Sequence, residues 1–228
     1  MEAVFDNLDL YLKGFGYTFA LFLASGVLSL VLGTFLVAMR VGPIAVLRTA
    51  GATYVTVVRN TPLVIVFAFF SFAAPTLGIK FNWLDVHIGE FDFTAFYGAA
   101  VVSLTLYTST FVCEALRSGV NAVPLGQAEA ARAIGLPFGG VMTQVVLPQA
   151  FRASLPPLAS VQIALIKNTS VAAVFGVAEA TFQMRGLLND FSTQRVGIFV
   201  CFAAGYVLIV EVFSFFSSRL ERRWRVAT

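Results

Sequence analysis

The chain has 228 residues, of which 58% are hydrophobic and only 12% are charged, and its formal net charge is +3. Soluble domains carry about 25% charged residues, so a single water-soluble core cannot accommodate this composition, and a membrane protein is expected. The one histidine, His87, cannot anchor a metal cluster, and Cys113 and Cys201 lie in apolar runs typical of buried free thiols rather than a disulfide.

The first apolar run, Gly14–Met39, is long enough for a spanning helix, which needs about 20 mostly apolar residues. It is preceded by Glu2, Asp6 and Asp9 rather than by the basic residues of a signal peptide. We therefore expect this run to be kept as the first membrane span.

The second run, Pro43–Ile79, is too long for one straight crossing of a hydrocarbon layer about 30 Å thick. It is interrupted by polar residues at Arg59–Pro62. Threonine is a good helix N-cap and proline suits the first helical position, so a break is predicted there, with Thr61 capping a new helix that begins at Pro62.

Three further spans are predicted at Phe93–Leu116, Phe151–Val177 and Gly197–Ser217. The fourth of the five spans carries the polar segment Lys167–Ser170 deep inside an apolar run. The pattern thus predicts an all-α integral membrane helical bundle with about five spans, forming a single domain over residues 1–228.

Basic residues predict the orientation of these spans, because arginine and lysine accumulate on the cytoplasmic side. With the C-terminus inside, and therefore the N-terminus outside for an odd number of spans, the inner side receives most of the arginines. These are Arg40, Arg48, Arg59, Arg117, Arg132, Arg152, Arg219, Arg222, Arg223 and Arg225.

A polar loop at about residues 120–150 separates the third and fourth spans on the predicted cytoplasmic side. Within it, Gly126–Leu136 is rich in strong helix formers, with Glu129 near the expected helix start and Gly135 where a left-handed residue would end it. A second short helix is expected over Phe138–Val146, stopped by Leu147-Pro148. Physically, the loop suits either a docking surface for another protein or a connector lying on lipid headgroups.

Several segments of this chain resemble sequences of one transporter family. Glu129-Ala130-Ala131, then Gly135, then Val145–Pro148 resembles the EAA motif of ABC-importer permeases, with a mild departure at Val145. The segments that are similar to polar amino-acid permeases, and in part to the glutamate permeases of actinobacteria, are Met39–Val41, Val58–Leu63, Tyr107–Phe111, Glu114–Gly119, Leu147–Ala150 and Lys167–Ser170.

The resemblance implies a permease subunit of an ATP-driven importer of polar amino acids, glutamate in particular, in the bacterial cytoplasmic membrane. It implies a coupling helix that docks on an ATPase through Glu129, Ala130, Ala131, Arg132 and Gly135. The expected partners are a second, homologous permease, two copies of the ATPase, an extracytoplasmic solute-binding protein and membrane lipid, but no nucleic acid. No cofactor is expected in this chain, since ATP and Mg²⁺ would bind to the partner ATPase.

Ionisable residues within spans are costly and usually face a cavity or a partner, which makes two polar segments candidates for the substrate path. The candidates are Arg59, Asn60, Thr61, Lys167, Asn168, Thr169 and Ser170. The alternatives are that Lys167 snorkels or pairs with Glu114 or Glu179, and that Arg59 is a snorkelling cytoplasmic anchor.

Other function classes lack their sequence signatures. The chain has no phosphate-binding G-x-x-x-x-G-K-[ST] loop and no H-E-x-x-H or G-x-S-x-G motif, so it is not expected to be an enzyme and no catalytic residue is predicted. An ion-coupled secondary transporter is the main alternative, and an intramembrane hydrolase is a weaker one.

Two segments and two tryptophans are expected at the membrane surfaces. The segment Pro75–Asp92 would either touch a solute-binding protein or be a solvated connector, and Glu179–Thr193 is a candidate amphipathic helix on the outer face. Trp83 and Trp224 are candidate interfacial anchors.

Overall fold

A computed structural model describes residues 2–82 and 85–224, so Trp83 and Arg225 lie outside the described residues. Its helices are α1 (Glu2–Phe5), α2 (Leu8–Val41), α3 (Ala45–Asn60), α4 (Leu63–Ala68), α5 (Ala74–Thr76), α6 (Ala95–Asn121), α7 (Leu125–Ala133), α8 (Phe138–Gly140), α9 (Leu147–Asn168), α10 (Ala180–Asp190) and α11 (Arg195–Trp224). Wider π-helical turns occupy Phe69–Ala73 and Val141–Val146, and tighter 3₁₀ turns occupy Thr169–Phe175 and Ser192–Gln194. The prediction of an all-α bundle is confirmed.

Four helical stretches of the described chain are long and apolar enough to cross a membrane: Leu8–Val41, Ala95–Asn121, Phe138–Phe175 and Ser192–Trp224. In addition, α3 and the segment Leu63–Thr76 form a pair that is bent by 101° and that adds a fifth span if it is counted as one. This agrees with the predicted number of about five spans.

The break between α3 and α4 is confirmed, but the predicted capping at this break is wrong. Thr61 is extended, with φ −85° and ψ 130°, and it follows the last residue of α3. Its hydroxyl donates back to the Val57 carbonyl at 2.9 Å instead of capping α4. Pro62 occupies the N-cap position of α4 rather than the first helical position. The residue before a proline is forced out of the helical region, so Thr61 has to end α3.

A short β-hairpin lies at one end of the bundle, which we call the hairpin end; the sequence did not predict it. Strands β1 (Val86–Ile88) and β2 (Phe91–Phe93) pair antiparallel, and Gly89 turns between them with φ +61°. The Tyr17 phenol on α2 accepts from the Asp92 backbone N–H at 2.6 Å, which fixes the hairpin to the bundle. The opposite end, which carries α7, is called the loop end.

Small residues allow α2, α6 and α9 to pack closely. A Cβ atom added at Gly33 of α2 would lie 2.6 Å from Val112 Cβ of α6, and one added at Gly119 of α6 would lie 2.4 Å from the Ala150 carbonyl oxygen of α9. Such contacts are typical of helix interfaces within membranes. Helix α6 runs from the hairpin end to the loop end and α9 returns antiparallel to it, so residues near the middle of α6 lie at mid-depth.

At the hairpin end, the carboxylate of Glu179 joins three helices. Glu179 lies in the connection before α10 and is fully buried. It accepts hydrogen bonds from the Phe182 backbone N–H at 3.1 Å, from the Tyr206 hydroxyl at 2.6 Å and from the Thr18 hydroxyl at 3.3 Å. The predicted helix within Glu179–Thr193 is present as α10, and Glu179 is its N-cap.

A pH-dependent stability is expected from Glu179. Burial raises the pKa of its carboxyl above the ordinary value, and hydrogen bonds from Tyr206 and from the backbone of α10 oppose that shift. The folded protein then holds the carboxyl proton of Glu179 more tightly than the unfolded chain does. The protonated carboxyl therefore adds to the free energy of unfolding in acid, and this addition is lost as pH rises through the raised pKa. We expect the wild type to lose thermal stability relative to Glu179→Gln as pH rises above about 4.3. Unfolding midpoints in detergent across a pH series measure this, and a constant difference would contradict it.

Candidate functional site

Helix α7 is an exposed helix that is held to the bundle by one side. Ala131 is buried and packs in a small apolar cluster with Val141 and Val146 of the following turn. The surrounding surface is unusually apolar for a loop, because Leu125, Ile134 and Phe138 are 80%, 82% and 62% exposed. Exposed apolar residues of this kind mark interaction sites.

The C-terminus of α7 has the predicted left-handed glycine. Gly135 has φ +91°, the Gly135 N–H donates to the Arg132 carbonyl at 2.9 Å, and the Leu136 N–H donates to the Ala131 carbonyl at 3.1 Å. These two bonds form a Schellman motif, which needs a residue with positive φ at this position. Leu136 also packs in the Ala131 cluster, so the exit direction of the chain is fixed.

The prediction that Glu129 lies near the helix start needs correction. Helix α7 already begins at Leu125, after Pro124, so Glu129 is its fifth residue and lies beyond the first turn. The positive end of a helix dipole acts mainly within that turn, so Glu129 gains little from it. Glu129, Ala130 and Arg132 are all exposed, and they form part of the outer surface of α7.

The loop continues into α9 without the predicted stop at Leu147-Pro148. The π-helical turn Val141–Val146 leads directly into α9, and the span is counted as one stretch of 38 residues from Phe138 to Phe175. Pro148 has no N–H to donate to the preceding turn, and it follows directly on the π-helical turn, where the regular α-helical pattern of hydrogen bonds is already interrupted. The Gln149 side chain donates to the Gln127 side-chain oxygen at 2.6 Å, so α7 is also tied directly to α9.

A cleft of about 350 Å³ lies between α6 and α9 at mid-depth. Helix α6 has 27 residues, and Thr108 lies halfway along it. At about 1.5 Å per residue, Thr108 is therefore about 20 Å from either end of α6. The lining residues are Tyr107, Thr108, Phe111, Ser160, Val161, Ala164 and Asn168.

Two properties of the cleft suit it to a polar ligand. Its polar groups come from both helices, with Tyr107 and Thr108 on one side and Asn168 on the other, whereas the Ser160 hydroxyl donates to the Pro156 carbonyl at 3.2 Å. The Thr108 hydroxyl is buried and has no hydrogen-bond partner among the described residues. An unpaired buried hydroxyl costs free energy, which a bound ligand or water would recover. Thr108 and Ser160 were not predicted as site residues.

Of the candidates at the α3–α4 break, Arg59 is placed beside this cleft. Its guanidinium carbon lies 5.6 Å from the centre of the Phe111 ring, and Phe111 lines the cleft. Arg59 and Asn60 are exposed at the C-terminus of α3, whereas the Thr61 hydroxyl is occupied by the Val57 carbonyl. The head group of Arg59 therefore lies beside a ring that is three residues past the middle of α6, towards the loop end, and the anchor and substrate-path interpretations of Arg59 both stay predictions.

The four residues Lys167–Ser170 have different roles. Asn168 lines the cleft. Thr169 and Ser170 do not offer free hydroxyls, because these donate to the carbonyls of Ile166 and Lys167, both at 2.7 Å. Lys167 is exposed and precedes Asn168 at the end of α9.

The alternative in which Lys167 pairs with Glu114 or Glu179 is wrong. Glu114 forms an ion pair with Arg40 and lies 3.6 Å from Arg117, so its oxygens are already engaged at the loop end. Glu179 is bound by hydroxyl and backbone donors at the hairpin end. Within residues 2–82 and 85–224, Lys167 makes no ion pair.

The sequence matches one protein family over nearly its whole length. Residues 14–226 match the family described as the binding-protein-dependent transport system inner membrane component. The chain belongs to this family. It is therefore a permease, a component of a transport system rather than an enzyme, and the resemblance found in its motifs is confirmed.

Relatives and a solved structure agree with this assignment. The permease is 38% identical over 216 residues to the glutamate transport system permease protein GluC of Corynebacterium glutamicum, covering 94% of each chain. It is 41% identical over 199 residues to the protein of the same name from Corynebacterium efficiens, covering 87% of this chain and 86% of the relative. A crystal structure of an amino acid ABC transporter with histidines has a TM-score of 0.84 at 26% identity and covers 96% of both chains.

Proposed function

We propose that this permease forms half of the membrane path of an ATP-driven importer of polar amino acids, with glutamate as its substrate. The observation that carries the proposal is the mid-depth cleft, with Arg59 over its Phe111 wall and Lys167 next to its Asn168. Arg59 and Lys167 are neighbours of lining residues rather than part of the lining, and together with the Thr108 hydroxyl and the Asn168 amide they would suit a ligand with two carboxylates. The names of the two GluC relatives support the choice of glutamate.

Energetics favour a transport role for Lys167. A charged side chain at the centre of a bilayer costs about 2.5–3.5 kcal/mol on insertion scales, so such residues usually face a path or a partner. Lys167 is exposed in the single chain and forms no ion pair with a carboxylate of residues 2–82 or 85–224. A second, homologous permease that packs beside it would enclose a path and exclude lipid from this cation.

Helix α7 is proposed as the coupling helix for two copies of a cytoplasmic ATPase, where ATP and Mg²⁺ bind. Its exposed Leu125 and Ile134 offer an apolar docking surface, with Glu129 and Arg132 between them. The Schellman motif holds the shape of the loop, and the Gln127–Gln149 bond links α7 to α9. A movement of α7 would then be transmitted along α9, which is one continuous helix that ends at Asn168 in the lining of the cleft.

The decisive experiment is reconstitution. The permease would be expressed with an ATPase and a secreted binding protein chosen from its neighbouring genes, purified and placed in vesicles. We expect uptake of labelled glutamate that requires ATP and the binding protein and that continues when ionophores collapse ion gradients. Uptake driven by an ion gradient without ATP would favour the secondary transporter instead. Hydrolysis of a peptide or lipid without any uptake would favour the intramembrane hydrolase.

The proposed orientation in the bacterial cytoplasmic membrane gives a separate prediction. With Cys113 and Cys201 replaced by serine, a single cysteine at position 2 should react with an impermeant maleimide from outside. A cysteine at position 228 should react only after the membrane is opened, because most arginines of the chain would lie inside. Labelling of position 2 only from the cytoplasm would reverse the orientation and remove α7 from the side of the ATPase.

A further inference from the structure

A second pocket, of about 320 Å³, lies at the hairpin end between α6 and the π-helical turn Phe69–Ala73. Three rings, Phe70, Phe81 and Phe96, form much of its wall, and Lys80 and Asn82 add polar groups. The pocket is separate from the mid-depth cleft, with which it shares no lining residue. It includes Ala95, the first residue of α6, so it lies where this span leaves the hydrocarbon layer.

The pocket contains an unpaired buried donor. Ser71 is 7% exposed, and its hydroxyl has no hydrogen-bond partner among the described residues. Other serines within the spans, such as Ser103 and Ser154, donate to the carbonyl four residues earlier. An unpaired buried hydroxyl is costly, so a ligand acceptor at Ser71 would be favourable.

The chemistry of the pocket defines its ligand. Lys80, Asn82 and Ser71 can all donate hydrogen bonds, which matches a group rich in acceptor oxygens and carrying negative charge. The apolar surface of the three phenylalanine rings suits the hydrocarbon chain of a lipid rather than a zwitterionic molecule. Leu77 and Ile79, which precede Lys80 in the chain, and the lining residue Phe96 are 69%, 49% and 44% exposed, as is expected for a surface facing lipid.

We propose that this pocket binds one phospholipid with an anionic headgroup. The phosphate lies by Lys80, an ester or phosphate oxygen accepts from Ser71, and an acyl chain lies between Phe70 and Phe96. The bound lipid fills the gap between the bent span and α6, and so supports the half of that span nearer the hairpin end. This site goes beyond the proposed transport function and does not depend on it.

The test uses the full chain, purified with its co-purifying partners, in nanodiscs that contain phosphatidylglycerol with a diazirine in one acyl chain. After irradiation, we expect labelled peptides to concentrate at Phe70 and Phe96. Lys80→Gln should lower labelling of these peptides about fivefold, which corresponds to about 1 kcal/mol for one basic group near anionic lipid. Excess unlabelled phosphatidylglycerol should compete better than phosphatidylcholine.

A matched control removes a different cation at the same end. Arg195 is exposed at the start of α11 and does not line the pocket, so Arg195→Gln should leave labelling at Phe70 and Phe96 unchanged. Label spread evenly over the exposed apolar residues of this end, or equal labelling in Lys80→Gln, would overturn the proposal. No labelling at Phe70 and Phe96 in the complex with its partners would overturn it too.

Discussion

Gly135→Val should abolish transport while the protein still inserts in the membrane at normal levels. The Schellman motif requires φ +91° at this position, and a β-branched residue there costs about 1–3 kcal/mol. No neighbouring atom lies within 4 Å of an added Cβ, so the effect would come from the backbone rather than from a clash. The loop should take another path, and the ATPase should detach or hydrolyse ATP without responding to the loaded binding protein.

Glu129→Lys should act similarly through the surface of α7. Because Glu129 lies beyond the first turn, the expected loss comes from charge reversal at the docking surface and not from the helix dipole. Co-purification of the ATPase and hydrolysis stimulated by the binding protein, both in reconstituted vesicles, are the measurements for both variants.

Two control variants distinguish these specific effects from a general effect of a larger side chain or of a reversed charge. Gly139→Val adds the same side chain to the same loop at an exposed position of α8 where φ is not positive and no atom lies within 4 Å of the new Cβ. Glu90→Lys reverses a charge at the hairpin end. Both controls should retain the ATPase. If Gly135→Val and Glu129→Lys also keep full stimulated hydrolysis and uptake, α7 is only an interfacial connector.

Local requirements made parts of this fold predictable from the sequence. Gly135 was recognisable because a left-handed helix end favours one residue type and leaves a signal at one position. The break at Arg59–Pro62 was visible because an apolar run of that length cannot remain straight within a membrane. The capping at this break was not predictable from the sequence. The Thr61 hydroxyl could bond either to the preceding helix or to the following one, and it bonds to the preceding one.

The cleft was only partly predictable, because its residues come from two helices far apart in the sequence. Asn168 was identified from its polar segment, but Thr169 and Ser170 bond to backbone carbonyls of α9, as hydroxyls in helices often do. Thr108 sits within the polar segment Tyr107–Thr110, and the rotation of α6 decides which of these side chains faces the cleft. That rotation depends on packing against α2 and α9, which a single sequence pattern does not encode.

Whether Lys167 pairs with a carboxylate likewise depends on residues that are distant in the sequence. Its two candidate partners were plausible by charge alone, but Arg40 occupies Glu114 at the loop end and Tyr206 occupies Glu179 at the hairpin end. Both acids thus lie towards the ends of the bundle, whereas Lys167 is beside the mid-depth cleft. Its remaining interpretations are contact with substrate, contact with a partner subunit, and snorkelling of the side chain to the membrane surface.

Lys167→Ala should strongly reduce uptake of glutamate while the complex still assembles. If the ammonium group contacts a substrate carboxylate, its removal should weaken that contact by about 2–5 kcal/mol, as for a buried charge pair that loses one member. No described carboxylate pairs with Lys167, so the variant leaves no acid unpaired within the chain. Lys167→Arg keeps the charge and should retain part of the uptake, whereas the neutral Lys167→Met should behave like the alanine variant. The measurements are uptake in vesicles and the subunit composition of the purified complex. A complex that falls apart in Lys167→Ala would assign the lysine to subunit packing and remove it from the substrate path.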